Sequence, residues 1–346
     1  MSQSEKEVLG SGSGLAGAVA LESGADLGEI EVKARGYWEQ VWRRFKRDKI
    51  AIAGGITIIL LILGAFVGAP IAAHFLHHGP NDQFYSALTP LGAPIGPWAH
   101  VSNGIGGKTF LILGADSTLG RDEFLRLAYG ARVSFEVALL ATVGSISIGV
   151  LFGAMAGYFR GWVDTIISRV TEITMAFPSL LFIIALASTV GDSINNITFG
   201  GILSPGVFTL FVVLAIFAWF YPARIIRAVV LSIREKEFIE AARMTGSSDW
   251  RIIRSHILPH LVAPITVYAT LSVAQFILLE AGLSFLGVGI KQPIASWGNL
   301  LEQASEYYTV QPWLMLWPGL AVLITTLSFN LLGDGLRDAF DPRATH

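Results

Sequence analysis

Apolar positions in this chain gather into six long runs separated by polar or proline-rich stretches. A helix rises about 1.5 Å per residue, so about 30 Å of hydrocarbon takes about 20 apolar residues. The first run, 50–73, carries no charge at all. The second, 137–159, follows directly on Arg132 and Glu136, and the third, 163–190, has Asp164, Arg169 and Glu172 near its start and Pro178 inside it. The fourth, 206–230, meets Arg224 and Arg227 only in its last turns, the fifth, 262–290, is interrupted by Glu280, and the sixth covers 312–333. The pattern therefore predicts an all-α, polytopic membrane protein with six transmembrane helices.

Between the runs the pattern changes character. Residues 1–35 are rich in Gly, Ser, Ala and Glu without sustained period, which predicts a disordered tail. A short apolar run at 15–21 lacks a basic leader and is followed by Glu22 and Asp26, so it does not read as a signal peptide. Over 36–49, Trp38, Val41, Trp42 and Phe45 recur at helical spacing among Arg43, Arg44, Lys46 and Arg47. That predicts an amphipathic inner-leaflet helix leading into a first span over 50–75, with an ordinary span flank as the plainer alternative. Residues 76–130 form one long segment with Pro80, Pro90, Pro94 and Pro97, expected to be a loop. Its Gly106-Gly107-Lys108-Thr109 resembles the tail of a phosphate-cradling loop, but the first glycine that pattern needs is Ser102, so it is discounted. The five-helix core is expected over 131–335, with a tail at 336–346.

Composition agrees with burial in lipid. Hydrophobic residues make up 53% of the 346 and charged residues only 14%, against about 25% charged in soluble domains. A net charge of −2 excludes a basic nucleic-acid binder, and the absence of cysteine excludes thiolate metal sites, disulfides and a Cys nucleophile. With the amino terminus inside, every Lys and Arg except Lys108, Arg121, Arg126, Arg132 and Lys291 falls on the inner side, which predicts both termini cytoplasmic.

Ionisable residues within spans are costly and face inward by default. Arg169 and Glu172, three apart, read as a structural pair in preference to a proton relay. Glu280 either lines a pathway or bonds to a neighbouring helix. Gly149, Gly153 and Gly157 repeat every four residues and predict close helix packing. His74, His77 and His78 fall on one expected helical face; a wet histidine patch is the reading preferred over a metal site, since no carboxylate stands beside them in sequence.

The loop 232–261 is too long for a simple connector. It reads as two short helices: 235–245 with Phe238, Ala241, Ala242 and Thr245 on one side, a left-handed stop at Gly246, capping oxygens on Ser247, Ser248 and Asp249, and a second helix from Trp250 that Pro259 ends. Such a connector is a rigid knob beneath the bundle.

Glu240-Ala241-Ala242, Gly246 and Leu258-Pro259 resemble the signature loop of binding-protein-dependent ABC importer permeases, with His256 where Ile is common. Gly114-Ala115-Asp116, Leu119-Gly120-Arg121-Asp122, Glu280-Ala281-Gly282-Leu283-Ser284-Phe285-Leu286-Gly287 and Phe329-Asn330-Leu331-Leu332-Gly333-Asp334 are similar to the dipeptide, oligopeptide and nickel branch, C-type subunit. The resemblance implies the type I importer fold in a bacterial-type inner membrane. It further implies a B-type permease partner, two cytoplasmic ATPases that carry ATP and magnesium, and an external solute-binding protein. Glu240, Ala241, Ala242, Gly246, Leu258 and Pro259 would form the ATPase-coupling loop, with no cofactor, metal or catalytic residue in this chain. A nickel or other small-solute permease and an ion-driven secondary transporter are the alternatives; Arg169, Glu172 and Glu280 show no repetition in halves that the latter would favour.

Overall fold

The computed structural model describes residues 36–102, 107–194 and 197–341. The tail expected over 1–35 lies outside them, as do Gly106, Pro342 and Arg343. Helix α1, Tyr37–Phe45, buries Val41 and leaves Trp38 and Trp42 exposed, so it is amphipathic as its spacing predicts. It is shorter than the expected 36–49, because Asp48 starts a new helix: its carboxylate accepts from the backbone N–H groups of Ile50 and Ala51 at 3.0 Å. Lys49 therefore belongs to the first long helix, α2, Lys49–Leu76.

Four helices are long and apolar enough to cross a membrane alone: α2; α3, Glu123–Phe159; α9, Asp249–Phe285; and α11, Trp313–Phe340. Two more expected spans are bent pairs. The third divides into α4, Gly161–Ala176, and α5, Ser179–Ile194, at 86°. Phe177 is extended there (φ −80°, ψ 141°), as the residue before Pro178 must be to clear the proline ring. The fourth divides into α6, Val207–Ala218, and α7, Phe220–Arg234, at 43°. Short helices α8, Glu237–Met244, and α10, Trp297–Ala304, complete the set.

Two turns inside long helices are wound wider than α. In α2 the turn Gly64–Gly68 has Ala69 N–H donating to Gly64 C=O, one residue before Pro70. In α9 the turn Ile253–Ile257 has Leu258 N–H donating to Ile253 C=O, one residue before Pro259. A proline has no N–H to give and its ring crowds the carbonyl four residues back; an i→i+5 turn relieves both. Pro259 accordingly does not end a helix, contrary to the expectation from its residue type. It is absorbed, and the second helix of the 232–261 connector runs unbroken into the fifth span.

The centre of the bundle is α3. Its Gly149, Gly153 and Gly157 lie directly on α7: a Cβ on Gly153 would stand 2.5 Å from Ala223 C=O, and one on Gly157 2.8 Å from Val230 Cβ. Phe135 meets Trp297 edge-on at 5.7 Å, drawing α10 onto α3. The helix begins fourteen residues ahead of the expected span, capped by Asp122, whose carboxylate accepts from Phe124 and Leu125 N–H. The long segment before it is ordered. Strands β1, Ala99–Ser102, and β2, Lys108–Leu111, pair antiparallel over a small core of Phe84, Ala87, Val101, Leu111 and Ala115. Lys108 and Thr109 thus lie on a strand and do not lead into a helix, which removes the phosphate-loop resemblance.

Candidate functional site

The connector after α7 folds as a knob. Helix α8 closes through Ser247 N–H donating to Ala242 C=O and Gly246 N–H to Arg243 C=O, with Gly246 at φ +78°. That left-handed conformation favours glycine because it lacks a Cβ. Ser248 occupies the cap position of the next helix without a side-chain cap bond. The expected capping oxygen of Asp249 is used elsewhere: Oδ1 accepts from the Tyr158 hydroxyl at 2.5 Å.

The predicted stripe splits between two environments. Ala242 turns inward with Ile239, whereas Phe238, Ala241 and Thr245 are exposed, as is Glu240. Leu258 and Pro259 are exposed on the adjoining turn. Together with Met244 (89% exposed) and Trp250 (68% exposed), they give the knob an apolar outer surface edged by charge. Ala242 therefore supports the knob from beneath and does not present itself to a partner.

Its underside is a dry joint. Ile239, Ile252, Ile253, Ile257 and Leu261 pack with Tyr158, Val230 and Ile233, so α3, α7, α8 and α9 share one core. Polar ties surround it: Arg234 donates to Tyr158 C=O, Arg160 pairs with Glu235, and the Arg243 guanidinium stands 5.4 Å from the Tyr158 ring centre. Two turns from Arg234, Arg227 forks onto Asp164 at 2.5 and 2.8 Å, linking α7 to α4. The knob is thus seated on α3, α7 and α9 together.

The remaining sequence candidates sort differently. Arg169 and Glu172 pair at 2.8 Å on an exposed face of α4. Glu280 is fully buried, accepting from Ser134 of α3 and Ser284 of α9, each at 2.7 Å. Its role is to bond a neighbouring helix. The three histidines do not share a face, because α2 ends at Leu76 and His77 is left-handed. A carboxylate does reach them: His78 contacts Asp122 through Nε2 and Leu76 C=O through Nδ1, both at 2.9 Å. The Leu76 carbonyl only accepts, so Nδ1 carries a proton, while Nε2 stands against the Asp122 carboxyl group. Burial works against a charge on the ring, but the Asp122 and Leu76 hydrogen bonds outweigh it and raise the pKa. No group of three or more His, Asp or Glu among the described residues is arranged to hold a metal.

At the end of the bundle bearing the hairpin, a buried ionic network escaped sequence reading. Asp116 holds Arg121 (2.6 Å) and Arg126 (2.9 Å) together, and Arg121 reaches Gln292 and Gln303. The signal was present in the clustered Asp116, Arg121, Asp122, Glu123 and Arg126, but charges ahead of an apolar run read as loop.

Two family models match the chain. One, described as binding-protein-dependent transport system inner membrane component, covers residues 149–346; the other, the N-terminal TM domain of oligopeptide transport permease C, covers 36–94. Among curated relatives, a dipeptide transport system permease protein of Alkalihalophilus pseudofirmus is 36% identical over 307 residues, 88% of this chain and 90% of that one. A glutathione transport system permease protein of Pectobacterium atrosepticum is 35% identical over 88% of this chain and 91% of its own. An oligopeptide transport system permease protein of Escherichia coli is 35% identical over 91% and 94%. In fold, the chain is like a methionine ABC transporter solved in an inward-facing conformation, with TM-score 0.50, 18% identity, and coverage of 63% of this chain and 97% of that one.

Proposed function

The chain belongs to the binding-protein-dependent transport system inner membrane components, and from that premise we propose that it is the C-type permease subunit of an ATP-driven importer of di- or oligopeptides. The observation that carries the reading is the knob: a helix, a left-handed glycine and a second helix fused to a span, with an apolar outer surface and a core shared by three long helices. A B-type permease completes the pathway. Two ATPases holding ATP and magnesium grip the two knobs from the cytoplasm, where both termini of this chain also lie. A solute-binding protein delivers the peptide to the opposite face, at the inner membrane. Glu240 contributes charge at the ATPase contact, Ala241 permits close approach, Leu258 and Pro259 extend that surface, and Gly246 sets the bend. The chain hydrolyses nothing itself.

The test is uptake of a labelled tripeptide by the reconstituted complex. Uptake is expected to stop when ATP is depleted with the ion gradient held, and Gly246→Asp is expected to abolish it while the chain stays inserted. No side chain lies within 4 Å of the site of a Cβ at Gly246, so the harm comes from the left-handed backbone and the new charge at the docking surface. Uptake that survives ATP depletion would overturn the reading.

A further inference from the structure

Helix α4 is unusual for a membrane segment: Thr171 is its single buried residue, while Arg169 and Glu172 are exposed on it. Beside it on α7, Arg224 is exposed about 15 Å of helix before Arg234. Between the two helices lies a cavity of about 180 Å³, lined by Ser168, Thr171, Glu172, Met175, Arg224 and Arg227 among others. Charges placed at this depth do not face lipid; they face water or protein.

The charges in the cavity are unequally satisfied. Arg227 is forked onto Asp164, and Glu172 is taken by Arg169. Among the described residues, Arg224 has no carboxylate within ion-pair reach; its guanidinium meets Met175 Sδ at 3.3 Å, a weak acceptor. A five-donor fork is thus left facing an open cavity whose walls mix polar and apolar groups. We propose that this face of α4 and α7 lines the solute pathway and that Arg224 is the cation met by the carboxylate of a passing peptide. The proposal rests on the importer reading above and adds the groove and the contact. Ser168 and Glu172 make the same wall wet, and Met175 offers a soft surface that tolerates varied side chains.

The chain contains no cysteine, so single thiols report on it cleanly. In the reconstituted complex, Arg224→Cys and Glu172→Cys are expected to react with a charged methanethiosulfonate reagent about tenfold or more faster than Leu60→Cys, which sits on an exposed apolar face of α2. Equal rates would show a dry face and overturn the proposal. In uptake, Arg224→Gln is expected to lower transport of a free-acid tripeptide about tenfold more than that of its carboxyl-terminal amide, with Arg224→Lys restoring most of the difference. An equal fall for acid and amide would assign Arg224 to a contact with the companion permease and overturn the carboxylate contact. Should the unaltered complex take up neither peptide, the peptide-importer reading fails, and the labelling rates still decide whether the face is wet.

Discussion

Glu280 shows how a single side chain joins elements that are far apart in sequence. Its two oxygens take the hydroxyls of Ser134 and Ser284, and Ser284 in turn accepts from Ile290 N–H, pinning the turn that follows α9. Glu280→Ala removes the acceptor for two buried hydroxyls, and the purified complex is expected to lose about 3 kcal/mol, read as a lower melting temperature in detergent. Glu280→Gln keeps one acceptor and is expected to lose less; equal losses would mean that bulk, not hydrogen bonding, is what matters. His78 works similarly nearer the hairpin, toward the same end of the bundle. It is held by Asp122 and faced also by Asp82. Its pKa is raised in the folded chain, so the stabilisation is full below the ordinary histidine value and is lost as pH rises through the raised one. Amide protection over 79–102 and 107–122, with exchange rates divided by the intrinsic base-catalysed rates, is therefore expected to fall as pH climbs from acid to alkaline, and His78→Gln is expected to remove that fall.

The elements were legible in proportion to how far hydrocarbon alone explains them. Six apolar runs give four helices long enough to cross a membrane alone and two bent pairs, because about 20 apolar residues have no other use at that length. The starts of helices were harder to read. Glu123 and Arg126 fall in the segment expected as loop and Glu136 just ahead of the expected span, yet each is buried in α3, where Asp116 meets Arg126, and Arg132 and Ser204 N–H meet Glu136. Prolines misled both ways: Pro259, expected to end a helix, is carried through a wide turn as Pro70 is, whereas Pro178, expected inside a span, breaks it. Composition does not distinguish these outcomes; the packing of the preceding turn does. The glycine spacing in α3 was read correctly because a four-residue repeat maps onto one face whatever the partner helix is. Gly153→Leu is expected to force α7 off α3, with loss of the assembled complex on size-exclusion chromatography. Gly64→Ala, at a position with nothing within 4 Å, is expected to assemble normally. Assembly of both variants would mean that the close approach is dispensable.

At the scale of the molecule, the knob and the bundle behave as one lever because a few contacts make their joint stiff. The Tyr158 hydroxyl ends α3 on Asp249 of α9, while its ring lies beside Arg234 of α7 and Arg243 of α8. None of this could be read from sequence, since Tyr158 and Asp249 lie 91 positions apart and each looks locally like a span end or a cap. If ATPases grip the knob as proposed, such stiffness has a use, because movement of the knob then has to reach α3 without slack. Tyr158→Phe removes one hydrogen bond and keeps the ring, so the chain is expected to insert and assemble as before, at a cost of about 1–2 kcal/mol. What changes is transmission. With the polar tie from Tyr158 to Asp249 gone, ATP turnover is expected to continue while the peptide moved per ATP hydrolysed falls several-fold in proteoliposomes. Because both quantities come from the same vesicles, a general loss of folded complex would lower them together and leave their ratio intact. An unchanged ratio in Tyr158→Phe would therefore mean that force passes through the apolar joint of Ile239, Ile252 and Ile257 alone.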